Sequence, residues 1–190
     1  MRVIGGKYRS RPLKAVPGNK TRPTTDKVKE SMFNLLTVYL PVGGRCLDFY
    51  AGSGALAIEA VSRGLDQAVL CELQGQAIKV IQENIAMTKE ADRFSVLKGK
   101  NRQTLQAWAQ QNPDQTFDLI FLDPPYAKSQ LEEDIKWLSQ AGLISLNGLI
   151  MVESDSDHLL DALEAFELLK HKQYGLSHLQ LLGYRGGKIK

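Results

Sequence analysis

From Arg45 onward the chain alternates between two hydrophobic rhythms. Short apolar runs bounded by glycine, proline or polar residues predict strands, and stretches with apolar residues three and four apart predict helices. The strands expected on this basis are Arg45–Tyr50, Gln67–Glu72, Phe94–Leu97, Phe117–Leu122 and Leu149–Glu153. Between and after them the pattern predicts helices over Ala55–Arg63, Gln74–Met87, Gln103–Gln111, Gln130–Ala141 and Asp157–Ala165. An earlier helix is expected from Thr24 or Thr25, either of which can cap it, to Leu36. Asp26 suits its first turn, and Val28, Met32, Leu35 and Leu36 fall on one stripe. Pro41 and Gly43-Gly44 then break the chain. The last segment, Glu167–Leu182, reads as two strands turning at Gly175.

Strands that alternate with helices form a mostly parallel sheet covered on both faces, which is an α/β architecture. The final strand pair has no helix between its members, so it is expected to be an antiparallel hairpin in that sheet. The sequence contains no internal repeat and no low-complexity segment. Its 190 residues suffice for one sizeable core, hence one domain with a small appendage. Hydrophobic content of 43% and charged content of 24% are those of a soluble globular protein. No apolar run is long enough to span a bilayer. The opening MRVIGGKYRSR lacks the apolar core of a secretory signal, so a cytoplasmic location is expected. Cys46 and Cys71 each fall in an expected strand and read as reduced, buried thiols, with a disulfide between them disfavoured. Those two cysteines and the scattered His158, His171 and His178 do not compose a zinc site, and no metal is expected. Oligomeric state has no signal in the sequence, and a monomer is the default.

Charge is distributed unevenly. Residues 1–25 hold Arg2, Lys7, Arg9, Arg11, Lys14, Lys20 and Arg22 and no acid, so against a total of +3 the remainder of the chain is net −4. A basic arm on a mildly acidic body suits a polyanionic partner. Taken as charge alone, the arm is better read as a solvated tail. Val3, Ile4, Tyr8, Leu13 and Val16, with Gly5-Gly6 and Pro17-Gly18 at turn positions, also allow a short hairpin.

Two stretches carry candidate chemistry. In Leu47-Asp-Phe-Tyr-Ala-Gly-Ser-Gly-Ala55 a strand ends in Asp48, and a glycine-rich turn leads into a helix. Gly52 and Gly54 let backbone approach a ligand where side chains would clash. Glu72 ends the next strand, where a carboxylate can accept from two ribose hydroxyls. Gly52-x-Gly54-x-x-Ala57 with Glu72 also satisfies a dinucleotide fingerprint. Two features favour S-adenosylmethionine over a nicotinamide cofactor. Asp48 would repel a pyrophosphate but suits a cationic amino-acid group, and no hydride-transfer acid or base accompanies the glycines.

The second stretch, Phe117-Asp-Leu-Ile-Phe-Leu-Asp-Pro-Pro-Tyr-Ala127, runs a buried strand into Asp123, Pro124, Pro125 and Tyr126. An exocyclic amino group is a poor nucleophile because its lone pair is delocalised into the ring. Two acceptors aimed at its protons pull it toward tetrahedral geometry. The Asp123 carboxylate and the Pro124 carbonyl are candidates for those acceptors. The double proline fixes the backbone before a substrate arrives, and Tyr126 offers a face for base stacking. The plainer reading is a rigid loop after a strand with a surface tyrosine. An acid-Pro-Pro-aromatic tetrad two β-α units after a glycine turn and Glu72 is more specific than that.

DFYAGSG, Glu72 and DPPY, in this order and spacing, resemble the class I S-adenosylmethionine-dependent amino-methyltransferases. RVIGGKYRSRPL followed by RPTTDKVKESMFNLL, together with VES at 152–154, resembles the bacterial RsmD family, which methylates N2 of a guanine in 16S ribosomal RNA. The resemblance covers nearly the whole chain. It implies a Rossmann-like, seven-stranded sheet with the C-terminal hairpin, a basic β-hairpin arm over residues 1–24, and a methyltransferase domain over residues 25–190. It also implies a methionine pocket at Asp48, Ala51, Gly52, Ser53 and Gly54, a ribose acid at Glu72, and a catalytic tetrad at Asp123, Pro124, Pro125 and Tyr126. Arg9, Arg11 and Arg22 would lie on the RNA side, and Arg22 and Thr24 would border the cleft. The implied partner is 16S ribosomal RNA within an assembling small subunit. Relatives often carry Asp-Ala or Asn-Ala near the cofactor's adenine, whereas this chain has Lys100-Asn101, so Asn101 or a backbone carbonyl would take that contact. The tetrad also serves adenine-N6 methylation of RNA or DNA, and a non-catalytic RNA-binding module on the same fold is the remaining alternative. Asp rather than Asn before Pro-Pro tilts away from the glutamine-modifying enzymes.

Overall fold

The computed structural model describes residues 1–18, 26–125 and 130–186. Its elements, in chain order, are helix α1 (Asp26–Leu36), strand β1 (Arg45–Asp48), α2 (Ala55–Ser62), β2 (Gln67–Glu72), α3 (Gly75–Thr88), β3 (Phe94–Lys98), α4 (Asn101–Gln111), β4 (Phe117–Leu122), α5 (Leu131–Gln140), β5 (Ile144–Ser154), β6 (Phe166–Tyr174) and β7 (Ser177–Tyr184). The strands form one sheet in the order β3-β2-β1-β4-β5-β7-β6. β1 to β5 pair in parallel. β7 runs antiparallel to both β5 and β6, so the C-terminal hairpin joins the sheet as expected, with its second strand inside.

Side-chain alternation along the central strands divides the core in two. Cys46, Leu119 and Phe121 face a cluster with α1, α2 and α3, through Met32, Phe33, Ile58, Val61, Ile81 and others. Leu47, Ile120 and Leu122 face the opposite way, toward Leu105 of α4 and Ile135 and Leu138 of α5. Cys46 and Cys71 are buried and unpaired with each other, and burial pushes both thiols up from their ordinary pKa. Among the described residues no helix is long and apolar enough to cross a membrane.

The N-terminal segment packs into the first of these clusters. Val3, Tyr8 and Leu13 are buried there. Val3 N–H donates to Arg11 O at 3.0 Å, Leu13 N–H donates to Met1 O at 2.9 Å, and Arg2 bridges Pro12 in antiparallel sense. The chain reverses through Lys7–Ser10. Gly6 has φ +73°, and a Cβ there would lie 1.8 Å from Ser62 O, so only glycine fits against α2. Glu59 of α2 accepts from the amides of Ile4 and Gly5, each at 2.8 Å, and from Arg63 Nε at 2.8 Å. Its Oε2 lies 3.3 Å from Lys29 Nζ, with neither side chain exposed. Burial lowers the Lys29 pKa, and the Glu59 charge opposes that shift. Two residues further along the arm, hydrogen bonds from Lys7 and Tyr8 hold the Glu90 carboxyl down at about 2.

Two elements differ from the sequence pattern. Residues Asp157–Ala165 form an irregular stretch that ends in turns rather than a helix. The apolar spacing that suggests a helix is real, since Leu160 and Leu163 are buried. However, the Gln180 side chain of β7 takes the Leu160 N–H at 2.8 Å and donates to His158 O at 2.9 Å, which replaces the local hydrogen bonds of a helix. A nine-residue segment has little helical stability of its own to set against this. Strand β5 also starts earlier, at Ile144 rather than Leu149. Asn147 adopts φ +62° inside it, at an irregularity in the pairing with β4, so a turn-like Asn-Gly lies within a strand.

Candidate active site

The parallel register of β1, β2 and β4 brings the two sequence stretches together. Asp48 at the end of β1 pairs with Leu70 of β2 and with Phe121 of β4. Two residues further along those neighbours come Glu72 and Asp123, so all three acids stand at the same carboxyl edge of the sheet. Ligands in open parallel sheets bind along that edge.

Between β1 and α2 the chain turns tightly. Ala51 N–H donates to Cys71 O at 3.1 Å and Gly54 N–H to Ala51 O at 2.7 Å. Gly52 has φ +53°, and a Cβ built there would meet nothing within 4 Å. The turn therefore presents bare backbone to open space. Gly54 has φ +75° and precedes α2, and a Cβ there would press on Leu70 at 3.0 Å. Glu72 clasps the turn: Oε2 accepts from Gly52 N–H at 2.9 Å, and Oε1 accepts from Leu73 and Gln74 N–H, both at 2.8 Å. Asp48 is 1% exposed, and its Oδ2 accepts from Ala57 N–H at 3.3 Å near the start of α2. Burial raises its pKa to about 7, partly offset by that hydrogen bond, while the charge of Glu72 adds to the rise.

Asn101 opens α4, and its Nδ2 donates to Phe49 O at 2.5 Å, just past β1. Its remaining acceptor is the side-chain carbonyl. Asp123 and Pro124 are half-buried directly after β4, and Pro125 is exposed. Ser154 ends β5 on the same edge. Between it and the start of α5 lies a cavity of about 280 Å³, lined by Glu132, His158 and Gln180 among others. Arg9 is exposed. Arg11 is half-buried, and its Nη1 donates to Met87 O at 2.9 Å and Thr88 O at 3.2 Å, capping α3. Arg22, Thr24 and Tyr126 lie outside the described residues.

Two groups beside this edge escape the sequence reading. Tyr50, in the glycine-rich stretch, donates to Asp134 Oδ2 of α5 at 2.5 Å. Arg102 of α4 donates to Asp134 Oδ1 through Nε at 3.0 Å and Nη2 at 2.6 Å. These residues lie too far apart in the chain for any periodicity to join them. Asn84 of α3 is 2% exposed, and its side chain bonds Lys14 and Ser53. Its signal was present as a polar residue on the buried stripe of Ala77, Ile81, Ile85 and Thr88.

The family model described as Conserved hypothetical protein 95 matches residues 1–183. The chain belongs to this family. It is the RsmD family, whose motifs the sequence carries. The Bacillus subtilis protein YlbH is 36% identical over 187 residues, covering 98% of this chain and all of its own. Ribosomal RNA small subunit methyltransferase D of Haemophilus influenzae is 34% identical over 182 residues, 95% of this chain and 92% of that protein. Among solved structures, the yhhF protein of Escherichia coli superimposes with a TM-score of 0.80 at 32% identity, covering 98% of this chain and 99% of its own. The RsmD fold is the class I methyltransferase sheet, with the order and the antiparallel β7 described above.

Proposed function

We propose that this chain is an S-adenosylmethionine-dependent methyltransferase of ribosomal RNA, whose target is the exocyclic N2 amino group of a guanine in 16S RNA. The observation that carries the reading is the meeting of the open glycine turn, Asp48 and Glu72 with Asp123-Pro124-Pro125 at one sheet edge. The naming of relatives that span almost the whole chain as small-subunit ribosomal RNA methyltransferases supports the substrate class.

The residues fit the cofactor. Gly52 leaves open space in front of its backbone, Glu72 can receive ribose hydroxyls, and ionised Asp48 can face a cationic amino group. Asn101 Oδ1 can accept from the adenine amino group. When bound, S-adenosylmethionine supplies a sulfonium-activated methyl group. The protein's own part is to position and polarise. The Asp123 carboxylate and the Pro124 carbonyl accept from the two protons of the target amino group and localise its lone pair. The Pro124-Pro125 pair keeps both acceptors fixed, so little reorganisation accompanies reaction. Tyr126 stacks the base. A base must leave its helix to reach this edge. The exposed Arg9 and the rest of the arm, residues 1–24, hold RNA phosphates, while residues 25–190 carry the chemistry.

Tritiated methyl transfer to undermethylated small subunits, free 16S RNA and DNA tests the reading, followed by mass-spectrometric mapping of the product nucleoside. The expected product is N2-methylguanosine in 16S RNA, formed best on the subunit. N6-methyladenosine would move the enzyme to the adenine class. A protein that binds RNA without saturable uptake of S-adenosylmethionine would be a binding module.

A further inference from the structure

The arm and the glycine turn share one buried side chain. Asn84 Oδ1 accepts from Lys14 N–H at 2.8 Å, and Nδ2 donates to Lys14 O at 3.0 Å and to Ser53 O at 2.9 Å. All three partners are backbone atoms. Ser53 lies between Gly52, whose amide is held by Glu72, and Gly54, which directly precedes α2. The turn is thus held by β2 at one residue and by α3 at the next.

The same end of α3 holds the arm. Arg11 donates to the carbonyls of Met87 and Thr88, and Lys14 Nζ pairs with Glu83 at 2.9 Å. An apolar residue at position 84 would complete the stripe of α3 but would leave the Ser53 and Lys14 carbonyls without this donor. An amide carries the acceptor and the two donors needed to serve two segments at once. A displacement of the arm at Lys14 must therefore either break these bonds or move the Ser53 carbonyl with it.

We infer that Asn84 is a positioning residue that couples the arm to the glycine turn, so that a polyanion on the arm and a ligand in the turn alter each other's affinity. This rests on the functional reading above for the identity of both ligands. Reciprocity follows from linkage: RNA changes the affinity for the turn's ligand by the same factor as that ligand changes the affinity for RNA.

The test is titration of the full chain with S-adenosylhomocysteine, alone and with saturating 16S transcript. Wild type is expected to show at least about a fivefold change in dissociation constant between the two conditions. In Asn84→Asp an acceptor remains but the two donors are lost, and the ratio is expected to collapse toward unity while both ligands still bind. A purely structural role would weaken both ligands or lower the melting temperature and leave the ratio as in wild type. An unchanged ratio in Asn84→Asp, or a ratio of unity in wild type, overturns the coupling. Hydrogen exchange on the wild-type protein gives the same test without a variant: 16S transcript should change protection of the amides from Gly52 to Ala55, and no change there overturns it. If S-adenosylhomocysteine does not bind the free protein, the methyl-donor reading fails, and the exchange measurement alone decides the coupling.

Discussion

The amide of Gly52 donates to Glu72 Oε2 at 2.9 Å, joining the end of β2 to the turn after β1 across 20 residues. One carboxylate both shapes the turn and stands where a ribose is proposed to lie. Glu72→Ala strands three amides, those of Gly52, Leu73 and Gln74. It is expected to lower stability by about 1–3 kcal/mol and to weaken S-adenosylhomocysteine binding. Glu72→Gln, which keeps an acceptor, should recover more of the stability than of the affinity. Urea melts and calorimetric titration separate the two effects.

Asp123 follows β4 and lies outside the glycine turn, so its replacement should separate binding from turnover. Asp123→Ala is expected to bind S-adenosylhomocysteine as wild type does and to lose roughly 10²–10³-fold in single-turnover rate. Equal rates in the two proteins would remove Asp123 from the chemistry.

Asp48 gives a pH signature. Its folded pKa, about 7, lies above the ordinary aspartate value because the carboxylate is buried. The folded state therefore holds this proton where the unfolded state has released it. The contribution is fully present below the unfolded pKa, falls as pH rises toward 7, and is constant above that. A rise of this size corresponds to ~4 kcal/mol over the whole interval. Asp48→Asn should flatten that part of the stability–pH curve, as measured by denaturant melts from pH 4 to pH 8.

Lys29 and Glu59 form a buried pair, but the pair is asymmetric. Glu59 also receives Ile4 N–H, Gly5 N–H and Arg63, so it stays compensated without Lys29. Glu59→Leu takes the counter-charge from the buried Lys29 ammonium, which keeps only its bond to Arg2 O, leaves two arm amides unmatched and is expected to destabilise by about 3–5 kcal/mol. Lys29→Met should lose roughly half of that or less. Equal losses would contradict the asymmetry.

Arg9 and Arg11 are two residues apart and should behave differently. Arg9→Ala is expected to lower the slope of log affinity for 16S transcript against log salt by about one, with the melting temperature unchanged. Arg11→Ala, which removes the cap on Met87 and Thr88, should lower the melting temperature as well.

Much of this architecture was legible in the residue pattern. Gln67–Glu72 and Phe117–Leu122 were readable to the residue because each holds four consecutive apolar residues closed by an acid or by Asp-Pro-Pro. The meeting of Asp48, Glu72 and Asp123 followed from parallel pairing of strands that all end in acids. The irregular stretch at 157–165 was not legible, because the group that unmakes the helix is Gln180, twenty residues downstream of Leu160. Nor was the Tyr50–Asp134–Arg102 network, which comes from three separate elements. Arg11 reads as one more surface cation in the sequence, and only packing shows its bonds to α3.

Strand β7 is buried along nearly all its length, flanked by β5 and β6, yet among the described strands it is the last to be synthesised. Until it emerges from the translating ribosome, β5 has a bare hydrogen-bonding flank. During that interval the nascent chain is open to self-association, and a premature stop before Ser177 would make that vulnerability permanent.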